Sequence, residues 1–308
     1  MQPRIVVIGG ASLDIKGRLT RDFLPGTSNA ATVQISVGGV GRNIAENLAR
    51  LGMPTALIAA VCADDFGRSI LSQTEAAGVD MRAILLTYEQ RSASYLAILG
   101  PDGALLAGLD DSHAARAIAP AWIDRHAALL QGAEMVVIDA NIGRVTADHI
   151  LDLCGAAHVP VAFEPVAWGL ADRYRERVGR FMLVTPNQLE AEALSGMRVT
   201  DVASATLAAQ SIVACGTGIA VITLEHAGVV YATADEVGHV PAHAAEITVD
   251  PTGAGDALAA MIIYGLVNNI PLAECVRLGV VAAALTVASP ETVAPDLSLE
   301  RIYAQLEG

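Results

Sequence analysis

The stretch VGGVGRNIAENLARLG, residues 37–52, decides how the rest of the chain is interpreted. Three glycines and an asparagine stand in front of a helical pattern in which Ile44, Leu48 and Leu51 share one face. Glycines in this position are typical of a dinucleotide-binding loop, of a backbone that approaches a small substrate, or of a plain turn. The surrounding sequence has to separate these three interpretations.

Short apolar runs recur on both sides of this stretch and alternate with amphipathic segments. Continuous apolar runs suit strands that are buried on both faces, and the segments between them have helical periodicity. This alternation predicts an α/β fold with a mostly parallel sheet and helices on both sides. The predicted strands are residues 5–8, 56–61, 135–138, 159–163, 181–184 and 219–223.

One region departs from this alternation. Residues 94–107 contain two strand-like pieces around Gly100-Pro101-Asp102-Gly103, which is a strong turn signal. Together with residues 33–37 they predict a small sheet that projects from the main one. No Pro-, Gly- or Ser-rich linker divides the chain, so we expect residues 1–308 to form one domain with a lid built from segments near 11–37 and 88–110.

The composition narrows the classes of partner. The chain has 19 basic and 33 acidic residues, a formal net charge of −14 and no Lys/Arg run that could bind a phosphate backbone. No window is apolar enough to span a bilayer, and the first residues lack the pattern of a signal peptide. The four cysteines are far apart, which indicates neither a disulfide framework nor a zinc site. We therefore expect a cytoplasmic protein that binds neither nucleic acid nor membrane.

A second glycine cluster lies in EITVDPTGAGDALAAMIIYGL, residues 246–266. Strand-like residues precede Gly253, Ala254 and Gly255, and an apolar helix follows them, which predicts a strand-to-helix turn. Amides at a helix N-terminus converge and carry partial positive charge, so they can stabilise a transferring phosphoryl group. Asp256 falls in the first turn of that helix, where an acidic residue can also serve only to complement the helix dipole.

Two common phosphate-binding motifs fit less well. A Walker A loop requires a lysine within the motif, and the only lysine of the chain is Lys16. A dinucleotide loop matches Gly39-x-Gly41 and the helix after it, but its third glycine position is Ile44. The dinucleotide interpretation also leaves residues 253–256 unexplained.

The two glycine segments together resemble the ribokinase-like, or PfkB, carbohydrate kinases. Members of this family carry an N-terminal GG-x-G-x-N segment that binds the acceptor and a late D-[T/P]-x-GAGD segment with the anion hole and the catalytic base. Both segments are present here in the same order, and the similarity runs nearly end to end. The resemblance implies a three-layer α/β/α fold and ATP-dependent phosphorylation of a sugar or nucleoside hydroxyl.

The resemblance also implies roles for the matching residues. Asp256 corresponds to the general base, and an ordinary aspartate pKa is compatible with this role because a loose transition state asks little of the base. The backbone amides that correspond to the anion hole are those of Gly253, Ala254 and Gly255. The acceptor site corresponds to Asp14, Gly39, Gly41, Arg42 and Asn43. For Asn43, helix capping is the alternative.

Metal positions follow from the same resemblance. Asn187 and Glu190 match an NxxE motif associated with Mg2+ and its waters, although an asparagine followed three residues later by a glutamate is also close to a capping box. Asp250 and Thr252 match residues that in several relatives help to bind a monovalent cation such as K+.

The nucleotide-side loop departs from the family pattern. It follows Thr223 and reads LEHAG at residues 224–228, with Glu225 in place of the usual first glycine and Gly228 retained. A carboxylate at this position can repel the phosphates of ATP or point to solvent. The first of these outcomes would favour a module that binds a nucleoside or sugar without chemistry.

The acceptor is inferred from finer similarities. ASLDIKGR at residues 11–18, the 37–52 stretch and SPETVAPDLS at residues 289–298 resemble most the branch of the family that phosphorylates pseudouridine. Tyr95 can cover a base or sugar, or only pack within the lid. Lys16 can approach the acceptor, although a single lysine is more often solvated at the surface. A ribokinase-type sugar kinase and another nucleoside kinase are the alternatives.

The resemblance also bears on oligomeric state. Lid hairpins with apolar faces often pair in this family, which implies a homodimer formed through the lid strands.

Overall fold

The structure, a computed structural model, describes residues 2–88, 91–243 and 249–307. Its strands are β1 (Ile5–Ile8), β2 (Ser12–Leu19), β3 (Ala31–Gly38), β4 (Thr55–Ile58), β5 (Ala60–Cys62), β6 (Leu85–Thr87), β7 (Ala93–Leu99), β8 (Leu105–Asp111), β9 (Met135–Asp139), β10 (Val161–Glu164), β11 (Leu183–Val184), β12 (Ile219–Thr223), β13 (Val229–Ala232) and β14 (Val237–Val240). Its helices are α1 (Val40–Arg50), α2 (Asp65–Ala76), α3 (Pro120–Arg125), α4 (Ala127–Gln131), α5 (Arg144–Ala156), α6 (Trp168–Ala171), α7 (Gln188–Ser195), α8 (Val202–Ala214), α9 (Ala254–Val267), α10 (Leu272–Val287) and α11 (Leu299–Glu307). Short 3-10 segments span His113–Ala117, Asp172–Arg180 and Glu225–Ala227.

Across the described ranges the main sheet has eight strands in the order β14-β13-β12-β11-β10-β9-β1-β4. The strands from β4 to β12 in this order are parallel, and β13 and β14 add an antiparallel edge. Every predicted strand of the main sheet is present, and the predicted α/β fold with a mostly parallel sheet is confirmed. The antiparallel edge is an addition to that prediction.

Helices cover both faces of the main sheet. In β1, Ile5 and Val7 face a core that includes residues of α1, α9 and α10, whereas Val6 and Ile8 face a second core that includes residues of α5 and α8. All four side chains of β1 are fully buried. Burial on both faces explains why the strand sequences are continuously apolar.

Among the described residues, the second sheet has four strands in the order β3-β2-β7-β8 and will be called the small sheet. β7 and β8 are the predicted pieces on either side of the turn at residues 100–103, and β3 includes the predicted strand at residues 33–37. Its register gives the small sheet a polar inner face and an apolar outer face. The inner row is Ser36, Asp14, Tyr95 and Asp110, and the outer row is Ile35, Ile15, Leu96 and Leu109.

Two predictions about the strands need correction. The predicted strand at residues 56–61 is divided, because Thr55–Ile58 pairs within the main sheet while Ala60–Cys62 pairs with β6. β3, which precedes Gly39, belongs to the small sheet, so the strand–turn–helix unit of a dinucleotide-binding loop is not formed there. The dinucleotide interpretation of residues 37–52 is therefore wrong.

Some predicted features lie outside the described residues. They are residues 246–248 of the strand expected before Gly253 and residues 89–90 of the expected lid. In the part of the chain that the structure describes, no helix combines the length and the apolar character needed to cross a membrane.

Candidate active site

The N-terminal end of α1 lies at the carboxyl edge of the main sheet. β1 and β9 end side by side, and the Asp139 carboxylate at the end of β9 accepts the N–H groups of Gly10 and Gly41 at 2.7 and 2.9 Å. These bonds tie the start of α1 to the loop after β1. The loops at the carboxyl ends of parallel strands are where α/β folds bind ligands. The candidate site is therefore located at this edge.

The two glycine segments meet through Asn43 and Asp256. The Nδ2 atom of Asn43, in α1, donates a hydrogen bond to Oδ2 of Asp256, in the first turn of α9, at 2.7 Å. Asn43 lies inside α1, whose N-cap is Gly39, so the helix-capping alternative for Asn43 is wrong. The structure thus brings together the residue expected to act as base and a residue expected to hold the acceptor.

The Asp256 carboxyl has an unusual proton affinity. Burial raises its pKa from 3.8 to about 7, and the nearby Asp139 and Asp14 carboxylates add to the rise, while the hydrogen bond from Asn43 opposes it. The side chain is only 8% exposed. A carboxylate whose pKa is near neutrality accepts a proton more readily than an ordinary aspartate does. The pKa of this residue is therefore not the ordinary one considered from the sequence.

Arg42 is buried behind Asn43. Its guanidinium donates to the carbonyl oxygen of Val37 at 2.9 Å and to Oδ1 of Asn43 at 2.8 Å, and it forms an ion pair with Glu46 one turn later. Burial lowers the pKa of Arg42 to about 10. Because Oδ1 of Asn43 accepts from Arg42, the Nδ2 of the same amide points to Asp256. The contact of Arg42 with the site is therefore indirect, through the orientation of Asn43.

Gly39 and Gly41 are required by packing within the protein. Gly39 has φ of +95°, and a Cβ atom there would lie 2.6 Å from Cα of Ala11. A Cβ atom at Gly41 would lie 2.8 Å from Cα of Gly9. Both distances are shorter than real Cβ contacts allow, so only glycine lets α1 approach the loop after β1. The structure thus shows a close approach between two parts of the chain, and the expected approach of an acceptor to these glycines stays a prediction.

The predicted turn before Asp256 is present. Gly253 is the N-cap of α9 with φ of +85°, and a Cβ atom there would collide with the carbonyl oxygen of Thr292. A Cβ atom at Gly255 would have nothing within 4 Å, so the helix N-terminus faces open space at this residue. The Ala254 N–H donates to the carbonyl oxygen of Pro251 at 3.3 Å. The turn has room for an anion beside Gly255, while the Ala254 amide is directed back to the preceding loop.

The inner face of the small sheet adds polar groups to the site. Ser36, Asp14 and Tyr95 are neighbours across β3, β2 and β7, and burial raises the pKa of Asp14. Asp14 is also one of the charges that raise the pKa of Asp256. Of the residues described, Ser36 has a buried hydroxyl without a hydrogen-bond partner. An unpaired buried hydroxyl beside a carboxylate is suited to a ligand hydroxyl.

Lys16 lies on the same face of β2 and is buried. Its Nζ atom is 2.5 Å from Oδ2 of Asp250, and its side chain is 5% exposed. The expectation that this lysine is solvated at the surface is wrong, because β2 turns the side chain inward. Oδ1 of Asp250 accepts the N–H of Thr252 at 2.9 Å. Burial alone would raise the pKa of Asp250, but the hydrogen bonds from Lys16 and Thr252 outweigh it and hold the pKa below its usual value.

Asn187 and Glu190 form a capping box at the start of α7, as the capping alternative expects. Oδ1 of Asn187 accepts the Glu190 N–H at 3.0 Å, and Oε2 of Glu190 accepts the Asn187 N–H at 2.9 Å. Glu190 is nevertheless buried, and burial raises its pKa to about 7. Glu164, at the end of β10, has a pKa well above its usual value because of burial and the charge of Glu190. Thr185 donates to Oε2 of Glu164 at 2.5 Å.

The pair Glu164 and Glu190 fits a divalent cation. The pKa values of two neighbouring carboxyls rise when repulsion makes it unfavourable to ionise both. A cation bound between them removes that repulsion. Within the described ranges, no group of three or more His, Cys, Asp and Glu side chains is arranged to hold a metal ion. Mg2+ is commonly held by one or two carboxylates with waters and substrate phosphates, and this donor set matches that pattern. Asp250, also expected near a cation, is instead paired with Lys16.

The nucleotide-side loop lies next to the start of α7. Thr223 ends β12 and forms a β-bridge with Asn187. Glu225 is exposed and has φ of +48°, a conformation that glycine adopts without strain. Gly228 has φ of +89°, and a Cβ atom there would collide with the carbonyl oxygen of Val240. The backbone of the loop is thus the one that a glycine at position 225 would favour, although the residue is glutamate.

Sequence reasoning missed three buried polar residues of the site, Asp139, Glu164 and Ser36. Asp139 and Glu164 share a signal that could have found them, since each is the acidic residue that ends an apolar strand, in MVVID (135–139) and VAFE (161–164). Ser36 has no such signal, because its position depends on the pairing of β3 with β2.

Comparison with known proteins gives a consistent result along the chain. Residues 2–298 match the family described as pfkB family carbohydrate kinase. The chain is 32% identical to the pseudouridine kinase of Escherichia coli (strain K12) over 303 residues, which are 98% of this chain and 96% of that protein. It is 27% identical to the guanosine-inosine kinase of Exiguobacterium acetylicum over 291 residues, with coverage of 94% and 95%.

Two solved structures are similar to this chain along nearly its whole length. A carbohydrate kinase from Agrobacterium tumefaciens has a TM-score of 0.84 and 27% identity, with coverage of 99% of this chain and 97% of that chain. The Arabidopsis thaliana ribokinase complexed with ribose and ATP has a TM-score of 0.85 at 23% identity and full coverage of both chains, and it supports the fold. The family match, which spans nearly the whole length, shows that this chain belongs to the PfkB family of carbohydrate kinases.

Proposed function

We propose that the protein transfers the terminal phosphoryl group of ATP to a hydroxyl group of a nucleoside or sugar, and that pseudouridine is the acceptor. The observation that carries the proposal is the contact between Asn43 and Asp256 at the start of α9. A buried carboxylate with a pKa of about 7 lies beside a helix N-terminus that is open at Gly255. A base for the hydroxyl proton and a site for the phosphoryl charge are therefore adjacent.

Each residue of the pair has a separate task. Asp256 accepts the proton of the acceptor hydroxyl as its oxygen forms a bond to the phosphorus, and the bond between the phosphorus and the leaving ADP oxygen breaks. Asn43 holds the Asp256 carboxylate in one orientation, and Arg42 holds the Asn43 amide. The N–H groups at Gly253 and Gly255 face the charge that develops on the phosphoryl oxygens.

The nucleotide lies on the other side of the phosphoryl group. We assign this side to Thr223, Gly228 and Thr252, with Asn187 linked to Thr223 by a β-bridge. Glu164 and Glu190 would hold Mg2+ together with Asn187. When bound, Mg2+ supplies positive charge that stabilises the phosphates.

The small sheet acts as a lid in this proposal. Its inner row places Asp14, Ser36 and Tyr95 on the acceptor side, where a carboxylate and a hydroxyl can bind neighbouring hydroxyl groups of a ribose. Tyr95 offers an aromatic surface for a base. Closure of the lid would exclude water, which otherwise competes with the acceptor for the phosphoryl group.

Support for a nucleoside acceptor comes from two relatives that are named for nucleosides, the pseudouridine kinase of E. coli and the guanosine-inosine kinase of E. acetylicum. The first covers 98% of this chain at 32% identity, which favours pseudouridine over ribose. A ribokinase-type sugar kinase is the second candidate, since ribokinases share the fold at full length.

The test is a substrate panel. Purified protein with ATP and Mg2+ is incubated with pseudouridine, uridine, guanosine, adenosine, ribose and fructose, and ADP release and the phosphorylated product are measured. We expect the highest kcat/KM with pseudouridine and phosphate on its ribose 5′-hydroxyl. Phosphorylation of ribose alone would move the assignment to the second candidate. Absence of turnover with every acceptor, together with no binding of an ATP analogue by calorimetry, would contradict the kinase assignment.

We also propose that two copies pair through the outer face of the small sheet. The apolar side chains of that face include Ile35 at 59%, Leu96 at 37% and Leu109 at 63% exposure, while the inner face is polar. An apolar row that crosses a whole sheet is the kind of patch that a partner covers. Mass from light scattering tests the dimer, and Ile35→Glu should give a monomer; a monomeric wild-type protein would contradict it.

We also propose that the protein is located in the cytoplasm. The four cysteines are free thiols, which suits the reducing cytoplasm, where ATP is available. Fractionation of the source cells would test this placement.

A further inference from the structure

Lys16 and Asp250 form a buried ion pair between the small sheet and the loop before α9. The two residues are 234 positions apart, and their side chains are 5% and 13% exposed. Lys16 is the only lysine of the chain. Long charged side chains are rarely buried unless they are paired, so this contact is a specific feature of the fold.

The Asp250 carboxylate has a partner at each oxygen. Oδ2 faces the Lys16 ammonium group at 2.5 Å, and Oδ1 accepts the N–H of Thr252 at 2.9 Å. Thr252 immediately precedes Gly253, the N-cap of α9. The ion pair therefore fixes the loop that leads into the turn where the phosphoryl group is expected.

A monovalent cation does not fit beside this carboxylate as the sequence resemblance implies. A bound K+ would need the oxygen that the ammonium group already occupies, and two positive charges at one oxygen repel each other strongly away from water. The carboxylate still needs a positive partner, because an unpaired negative charge next to the phosphoryl site would repel the phosphates. Lys16 meets that need from within the chain, and its charge also opposes the rise that burial causes in the pKa of the neighbouring Asp14.

We propose that Lys16 is a tethered cation, whose ammonium group takes the place of a dissociable monovalent ion at Asp250 and links lid strand β2 to the loop before α9. Its effect on the reaction rests on the proposed kinase function, but its effect on ion binding does not. Lys16 is a positioning residue in this proposal, since it acts through Asp250 and Thr252. The wild-type protein should therefore require no monovalent cation.

The first test needs no variant. Thermal unfolding midpoints of the wild-type protein are compared in KCl and in choline chloride from zero to about 100 mM, which separates K+ binding from ionic strength. We expect the two salts to give the same midpoints, and the same kcat when an acceptor is phosphorylated. A midpoint or a kcat that rises with KCl but not with choline chloride would overturn the proposal.

The second test uses Lys16→Met, which keeps an unbranched side chain, one atom shorter, and removes its charge. In choline chloride we expect kcat to fall about 100-fold, as small displacements of a positioned group do. KCl should raise the unfolding midpoint of Lys16→Met by about 2 °C or more and restore part of kcat, because the ion can now reach Asp250. A midpoint of Lys16→Met that does not respond to KCl would overturn the proposal.

Two further variants complete the test. Arg18→Met removes another cation from β2, two residues along on the same strand, and should leave the response to KCl as in the wild type. Lys16→Met combined with Asp250→Asn should lose the response, because the carboxylate that attracts the ion is gone. If the midpoints follow this pattern while no acceptor is phosphorylated, the kinase assignment fails and the tethered cation stands.

Discussion

Asp250 and Asp256 lie on either side of the same turn and have opposite electrostatic environments. Asp250 is paired with Lys16, and its pKa is below the usual value. Asp256 is hydrogen-bonded to the neutral amide of Asn43, and burial raises its pKa to about 7. Burial raises the pKa of both, but at Asp250 the Lys16 charge and the Thr252 hydrogen bond outweigh it, whereas at Asp256 the deeper burial and the nearby Asp139 and Asp14 carboxylates outweigh the hydrogen bond from Asn43. One segment can thus hold a carboxylate whose ionised form is stabilised next to one that is able to exchange a proton near neutral pH.

Loss of the exchangeable carboxylate should have the largest effect. Asp256→Asn removes the group that we propose accepts the hydroxyl proton, and we expect kcat to fall about 1,000-fold, within the range for general bases. Binding of an ATP analogue, measured by calorimetry, should be unchanged because the proposed nucleotide site lies on the other side of the phosphoryl group. Equal turnover in the variant and the wild type would contradict the proposal that Asp256, unlike Asp250, exchanges a proton during the reaction.

Substitution of each aspartate by asparagine should change stability in opposite directions. The pKa of Asp256 is higher in the folded protein than the usual 3.8, so its contribution to stability is lost as pH rises from about 4 to about 7. At about pH 8, Asp256→Asn should therefore raise the free energy of unfolding, by up to about 4 kcal/mol at 1.36 kcal/mol per pKa unit.

Asp250→Asn should lower the free energy of unfolding by about 3 kcal/mol, because it leaves the Lys16 charge buried without its partner. Urea denaturation of both variants at about pH 5 and about pH 8 measures these changes. The gain from Asp256→Asn should be smaller at the lower pH. If both substitutions change the free energy of unfolding in the same direction, the partners Lys16 and Asn43 do not determine how much each ionised carboxylate costs in stability.

The effect of Asn43, the neutral partner of Asp256, on the pKa of that carboxyl can be tested next. Asn43→Ala removes the hydrogen bond that lowers the pKa of Asp256, so this pKa should rise by about one unit. The ascending limb of kcat/KM against pH should move to higher pH by the same amount, and kcat/KM below the limb should fall about tenfold. The residual activity of Asp256→Asn, which has no titrating carboxyl at this position, serves as the control. An unshifted limb in Asn43→Ala would contradict the role of Asn43.

Removal of the exposed Glu225 carboxylate should have the smallest effect on activity and stability. Glu225 is open to solvent, where water screens its charge, so Glu225→Gly should change the KM for ATP by less than about threefold. Its φ of +48° is easier for glycine, and the free energy of unfolding should change by no more than about 1 kcal/mol. Steady-state kinetics and urea denaturation measure both quantities. A KM that falls more than tenfold would show that Glu225 faces the phosphates.

The parts of the molecule that could be predicted are those that depend on local pattern. The main strands follow from continuous apolar runs, and the start of α9 follows from a glycine turn before an apolar helix. The position of Asp256 in the first turn of that helix follows from the same pattern, whereas its role as base is inferred from the family resemblance. These features depend on residues that are neighbours in sequence, so the sequence pattern contains them.

The other features of the candidate site depend on which residues, distant in sequence, become neighbours in the fold. Lys16 is buried because β2 pairs with β3 and β7 in a register that turns it toward Asp250, and nothing near Lys16 in the sequence indicates this. The need for glycine at position 39 comes from Ala11, which no local pattern connects with it. The raised pKa of Asp256 likewise requires its burial beside other carboxylates.

The contacts that build the site join the two ends of the chain. Asn43 and Asp256 are 213 positions apart, Lys16 and Asp250 are 234 apart, and the Thr292 hydroxyl donates to Val37 across 255 positions. Contacts between residues so far apart form late, because the loops that they close carry a large entropy cost. A nascent chain can therefore complete the strands near its N-terminus while it still lacks the proposed base, and chemical competence should appear only after α9 has left the ribosome.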